Sequence, residues 1–172
     1  MHQLIDLTTG TVTRSADATG RTLHLVDIEN LAGGPQRTPA EHLAAYRAYE
    51  RRSELRVGDQ VVVAACGRVM RDLAFSLPSG IARRVANGED GADRVLLGFG
   101  TAEFIAERFE RLVIGSGDHG FLGLALAAQA LGVHVVILSG RGFRSATLQG
   151  RGFGIRSLGA LRLDEAELEL IA

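Results

Sequence analysis

The segment IGSGDHGF, Ile114 to Phe121, sits between two apolar runs of different character. Before it, RLVIG (Arg111 to Gly115) is short and carries β-branched residues, the composition of a buried strand. After it, FLGLALAAQAL (Phe121 to Leu131) is long, rich in Ala and Leu and stopped by Gly132, the composition of a buried helix. VHVVIL (Val133 to Leu138) then predicts another buried strand. The order strand, loop, helix, strand is a βαβ unit. Its loop spells G-x-G-x-x-G at Gly115, Gly117 and Gly120, and two chemistries fit that spelling. The glycines can cradle a dinucleotide phosphate at a helix N-terminus. Alternatively, they can present Asp118 to a metal ion.

The same alternation extends upstream. LHLVDI (Leu23 to Ile28), VVVAAC (Val61 to Cys66) and ARRVA (Ala82 to Ala86) predict strands. PAEHLAAYRAYERR (Pro39 to Arg52) predicts a helix with Thr38 as N-cap and Pro39 at its first position. VMRDLAFSL (Val69 to Leu77) predicts a helix stopped by Pro78. ADRVLLGF (Ala92 to Phe99) and TAEFIAERFE (Thr101 to Glu110) predict two helices separated near Gly98 and Gly100. Apolar strands alternating with helices specify an α/β fold, a central parallel sheet of about five strands covered on both faces.

Composition excludes several classes. Hydrophobic residues make up 46% and charged residues 23% of the 172, ordinary values for a soluble domain. No apolar run approaches bilayer length and no basic leader precedes one, so a cytoplasmic location without membrane association is expected. Cys66 is the single cysteine, so no internal disulfide can form, and it reads as a small buried hydrophobe. A net charge of −1 gives no general pull toward nucleic acid. All 19 basic residues are arginine, however, and each carries a planar fork suited to phosphate. Arg141, Arg144, Arg151 and Arg156 lie in a stretch, Ser139 to Ala160, that has no acid.

In a doubly wound sheet, ligands bind at the carboxyl ends of the strands. Asp27, Glu29 and Asn30 follow the first strand. Glu89, Asp90 and Asp93 follow the third. Ser116, Asp118 and His119 follow the fourth. Carboxylates gathered on one edge repel and resist desolvation, and a hard divalent cation removes that cost. Each acid alone could equally be a helix cap.

LVDIENL (Leu25 to Leu31), GADRVLL (Gly91 to Leu97) and VIGSGDHGF (Val113 to Phe121), in that order, resemble the NYN family of the PIN-like nuclease superfamily. The resemblance runs from about Arg21 to about Leu138. It implies a PIN-like three-layer α/β/α sandwich and a Mg²⁺- or Mn²⁺-dependent ribonuclease site. It places the metal-binding and catalytic acids at Asp27, Asp93 and Asp118, with Asn30 and Ser116 orienting the site; His119, read from its own position beside Asp118, is a candidate substrate-orienting residue. RNA, expected single-stranded, would be the partner, its backbone gripped by Arg141 and Arg144. Homo-oligomerisation is left open. The chain then divides into an arm or small hairpin (1–20), the NYN/PIN-like domain (21–140) and an Arg-rich extension ending in an acidic segment (141–172). One departure stands out: many members carry a further aspartate where this chain has Gly120. That departure motivates an alternative, a non-catalytic RNA-binding or regulatory module on the same fold. A nucleotide-cofactor protein using the glycines at 115–120 is the third reading. Its weakness is Asp118, a carboxylate placed where pyrophosphate would lie.

Overall fold

A computed structural model describes residues 20–88, 90–142 and 145–163. The expectations for residues 1–19, Glu89, Arg144 and the acidic end at 164–172 lie outside the described residues.

The chain alternates strands and helices around one parallel sheet. Strand β1 (Thr22–Asp27) runs into a short helix α1 (Ile28–Ala32) and then α2 (Pro39–Ser53). Next come β2 (Gln60–Cys66), α3 (Gly67–Leu73), β3 (Ala82–Ala86), α4 (Gly91–Leu97) and α5 (Ala102–Arg108). Strand β4 (Arg111–Gly115), helix α6 (Leu122–Ala130), β5 (His134–Ser139) and β6 (Gly154–Ser157) complete it. The sheet is six-stranded in the order β3-β2-β1-β4-β5-β6, and every pairing is parallel.

Alternation along the strands builds two cores. Val26, Val61, Val63, Val113 and Val136 face one side, where α1, α2 and α3 cover them with Leu31, Tyr46, Tyr49 and Leu73. Leu25, Val62, Leu112, Ile114 and Ile137 face the other, under Leu96, Ile105, Phe121 and Ala125. The result is the three-layer α/β/α sandwich anticipated from the strand pattern. Among the described residues, no helix is long and apolar enough to cross a membrane.

Local chemistry sets the helix ends. Thr38 accepts from the Glu41 amide and Glu41 reaches back to the Thr38 amide, a capping box with Pro39 in the first turn. Helix α3 ends at Leu73, well before Pro78. The chain turns there, leaving Phe75 exposed and returning Leu77 to the core.

The sheet does not stop at residue 140. Strand β6 pairs with β5, and Leu148, Phe153 and Leu158 are buried, so this part of the extension packs on the domain. Its sequence, Gly154-Ile155-Arg156-Ser157, holds one strongly apolar residue and gives no strand signal. At the amino-terminal edge of the sheet, buried His24 contacts the Tyr49 hydroxyl at 2.7 Å and Asp59 at 3.4 Å. Burial lowers the His24 pKa to about 4, against the pull of the Asp59 carboxylate.

Candidate active site

Strands β1 and β4 are neighbours, but the chain leaves them toward opposite edges of the sheet. Such a switch point opens a crevice at the carboxyl ends of the strands. Asp27 is the last residue of β1, Asp118 lies in the loop after β4, and Asp93 is in the first turn of α4. Three segments distant in sequence thus bring their acids to one crevice. Its volume is about 410 Å³, and Asp27, Glu29, Asp90, Asp93 and Asp118 all line it. No arginine or histidine is among the described lining residues.

Each acid is held differently. Asp27 Oδ1 accepts from the Glu29 and Asn30 amides, both at 3.0 Å, and so caps α1. It is 8% exposed. Burial raises its pKa to about 7, the Asn30 amide opposes that rise, and the Asp93 and Glu29 charges add to it. Asp93 is 9% exposed, and its buried Oδ1 has no hydrogen-bond partner. Its pKa rises to about 6, first through burial and then through the charges of Asp118 and Asp90, with His119 opposing. Asp118 Oδ1 accepts from the Gly120 amide at 2.7 Å and lies 3.2 Å from His119 Nδ1.

The orienting residues act on the loop rather than on open space. Ser116 is fully buried, and its Oγ accepts from the Asp118 amide at 3.2 Å. Asn30 Oδ1 accepts from the Gly117 amide at 2.9 Å, tying the first acidic segment to the last. His119 is exposed and does not line the crevice. Of the glycines in the G-x-G-x-x-G spelling, Gly115 is fixed by packing. A Cβ on Gly115 would come within 2.8 Å of the Tyr49 ring. A Cβ on Gly120 would sit 3.4 Å from Asp118 Oδ1 and 3.4 Å from Asp93 Oδ2.

This arrangement disfavours the dinucleotide reading, although the strand order is the one such folds use. The first βα turn, Asp27-Ile28-Glu29-Asn30, contains no glycine, and Asp27 already occupies the α1 amides. After β4, Asp118 takes the Gly120 amide. Carboxylates fill the positions where pyrophosphate would need donors.

The donor set fits a hard cation: the side-chain carboxylates are oxygen donors, and Asp93 Oδ1 is buried and unpaired. Among the described residues, no three of His, Cys, Asp or Glu close on a single point that could hold an ion.

Two lining residues change character relative to the sequence reading. Glu29 Oε1 accepts from the Cys66 amide at 3.1 Å, fastening α1 to the end of β2. Cys66 is only partly buried: it packs against the core but also lines the crevice, being the last residue of its strand. The arginines separate as well. Arg141 is exposed beside Glu41 at 3.5 Å. Arg156 instead pairs with Glu54 at 2.5 Å, and Glu54 also binds Arg111 at the start of β4, the opposite edge of the sheet. Arg151 bonds the Thr147 carbonyl.

Set against family models, curated proteins and solved structures, the chain matches none. The chemistry of the acidic edge therefore has to be read from its own residues.

Proposed function

We propose that this protein is a cytoplasmic, Mg²⁺- or Mn²⁺-dependent ribonuclease of the PIN-like, NYN type, hydrolysing phosphodiester bonds of single-stranded RNA. The observation that carries the reading is the convergence of Asp27, Asp93 and Asp118 on the switch-point crevice, with Asp93 Oδ1 buried and unpaired. Buried carboxylates without cations are destabilising, and a fold keeps them where they have work to do.

A bound divalent ion would supply an activated water and steady the leaving oxygen. Asp93 and Asp27 would hold it, since both are buried and short of compensating charge. Asp118 still has Oδ2 to offer, since its Gly120 bond uses Oδ1. Asn30 and Ser116 keep the Asp118 loop in register with α1 through the Gly117 and Asp118 amides.

The second reading is a non-catalytic RNA-binding module. Gly120 favours it, standing where the resembled family often has another acid and leaving Asp93 and Asp118 without that neighbour. Cleavage of single-stranded RNA in Mn²⁺ separates the two, comparing wild type with Asp118→Asn. The nuclease reading expects cleavage by wild type that EDTA abolishes, and a loss of at least about tenfold in the variant. Equal rates in both proteins, or no cleavage by either, would contradict it.

A further inference from the structure

Outside the acidic crevice, three side chains from two separate segments meet at its rim. Arg37 precedes the Thr38 cap of α2, Glu41 is in the first turn of that helix, and Arg141 follows β5. Arg37 Nη1 lies 3.4 Å and Arg141 Nη1 3.5 Å from the same atom, Glu41 Oε1. Two guanidinium groups thus share one carboxylate oxygen at the long end of pairing distance. Glu41 Oε2 is already taken by the Thr38 amide and hydroxyl. The cluster therefore carries one uncompensated positive charge, at the positive end of a 15-residue helix. Arg37 Nε is buried and has no hydrogen-bond partner, an unfilled donor in a fork built for two oxygens.

The cluster is fixed relative to the acids. Gly33 lines the crevice, and a Cβ on it would sit 3.2 Å from Arg141 Cβ and 3.5 Å from Arg37 Nε. The Arg141 amide donates to the Leu31 carbonyl at 2.9 Å and the Gly142 amide to the Asn30 carbonyl at 2.8 Å. A Cβ on Gly140 or Gly142 would overlap those same two carbonyl oxygens, so the Gly-Arg-Gly tripeptide lies flat on α1. The helix that Asp27 caps is the one that carries Arg141 at its end.

We infer that Arg37 and Arg141 form a subsite for a backbone phosphate flanking the scissile one, with Glu41 as an internal stand-in that the phosphate displaces. The inference rests on the proposed RNA substrate. A phosphate offers both guanidinium groups several oxygens where Glu41 offers one. The acids then handle the reacting phosphate through a cation while the arginines hold its neighbour. Glu41 also lowers the cluster's net charge when no substrate is bound, limiting capture of unrelated anions.

The test is anisotropy of a labelled single-stranded RNA in EDTA, where metal-dependent cleavage cannot consume the probe, titrated over a range of salt. Arg37→Gln and Arg141→Gln should each weaken binding and make the log–log salt dependence shallower by about 0.7. Glu41→Gln keeps the capping box, because glutamine serves at that position, and removes the competing charge, so it should tighten binding. Thermal unfolding confirms that each variant is folded. Unchanged affinity and slope in both arginine variants, no tightening in Glu41→Gln, or no binding by wild type would overturn the subsite. Arginine-dependent binding without any cleavage in Mn²⁺ would uphold the subsite and overturn the nuclease reading instead.

Discussion

Asp93 is buried, has one carboxylate oxygen without a partner, and faces the charges of Asp118 and Asp90. Its folded pKa of about 6 exceeds the ordinary 3.8, so the folded state holds the proton more tightly than the unfolded chain does. The stability this lends is present below about pH 4 and is lost as pH rises through 6. Asp93→Asn removes the ionisation and should raise the melting temperature at pH 8 by roughly 5 °C, from about 2 kcal/mol. At pH 4 the gain should vanish. Asp27→Asn should behave alike, because asparagine still caps α1. Wild type should recover the same stability from millimolar Mn²⁺, while the Asp27→Asn/Asp93→Asn double variant should show no Mn²⁺-dependent shift. Gly120 is the complementary site. Its backbone lies outside the left-handed region and its Cβ position is open to ordinary contact with both acids. Gly120→Asp should therefore lower the melting temperature in EDTA and enlarge the rise on adding Mn²⁺. Asp27 and Asp118 were legible at this edge because each ends or closely follows a buried strand, whereas Asp93, in the first turn of α4, was placed by the resemblance. The Arg37–Glu41–Arg141 cluster was not, because Arg141 lies a hundred residues from the Arg37–Glu41 pair and no pattern connects them.

At the scale of elements, β1, β2, β3 and β4 were legible within a residue because each is a short apolar or β-branched run bounded by turns. Helix α2 was legible from its cap chemistry, and Thr38→Ala should cost about 1 kcal/mol in thermal or urea unfolding. Helix α1 and strand β6 were not foreseen. The first has only five residues, IENLA, too few to show a period. The second is ordered by its neighbours: β5 supplies the ladder, while Phe153 and Leu158 anchor its flanks. The Gly-Arg-Gly contact with α1 is the element-level link between that extension and the site. Gly142→Ala drives a methyl group into the Asn30 carbonyl and should shift α1. It should destabilise by about 2 kcal/mol and reduce RNA cleavage together, measured by unfolding and by rate.

For the whole molecule, the two edges of the sheet carry opposite electrostatic trends. At the amino-terminal edge, His24 is buried neutral with a pKa of about 4 against an ordinary 6.5. Its contribution is present above pH 6.5 and is lost as pH falls toward 4. At the carboxyl edge, Asp27 and Asp93 shift the other way and regain stability over much of the same range. The two acids gain more over this range than the histidine loses, so wild-type stability should rise between pH 7 and 5. The Asp27→Asn/Asp93→Asn variant should expose the histidine trend and lose stability on acidification, as read by urea unfolding. A nuclease of this type requires the carboxyl edge to be a cation site. Anomalous diffraction from a crystal soaked in Mn²⁺ tests that most directly. The predicted result is a peak in the crevice at about 2.2 Å from a carboxylate oxygen of Asp93, with Asp27 or Asp118 bound directly or through water. A crevice with ordered acids and no peak, or a Mn²⁺ ion bound only elsewhere on the molecule, would contradict it.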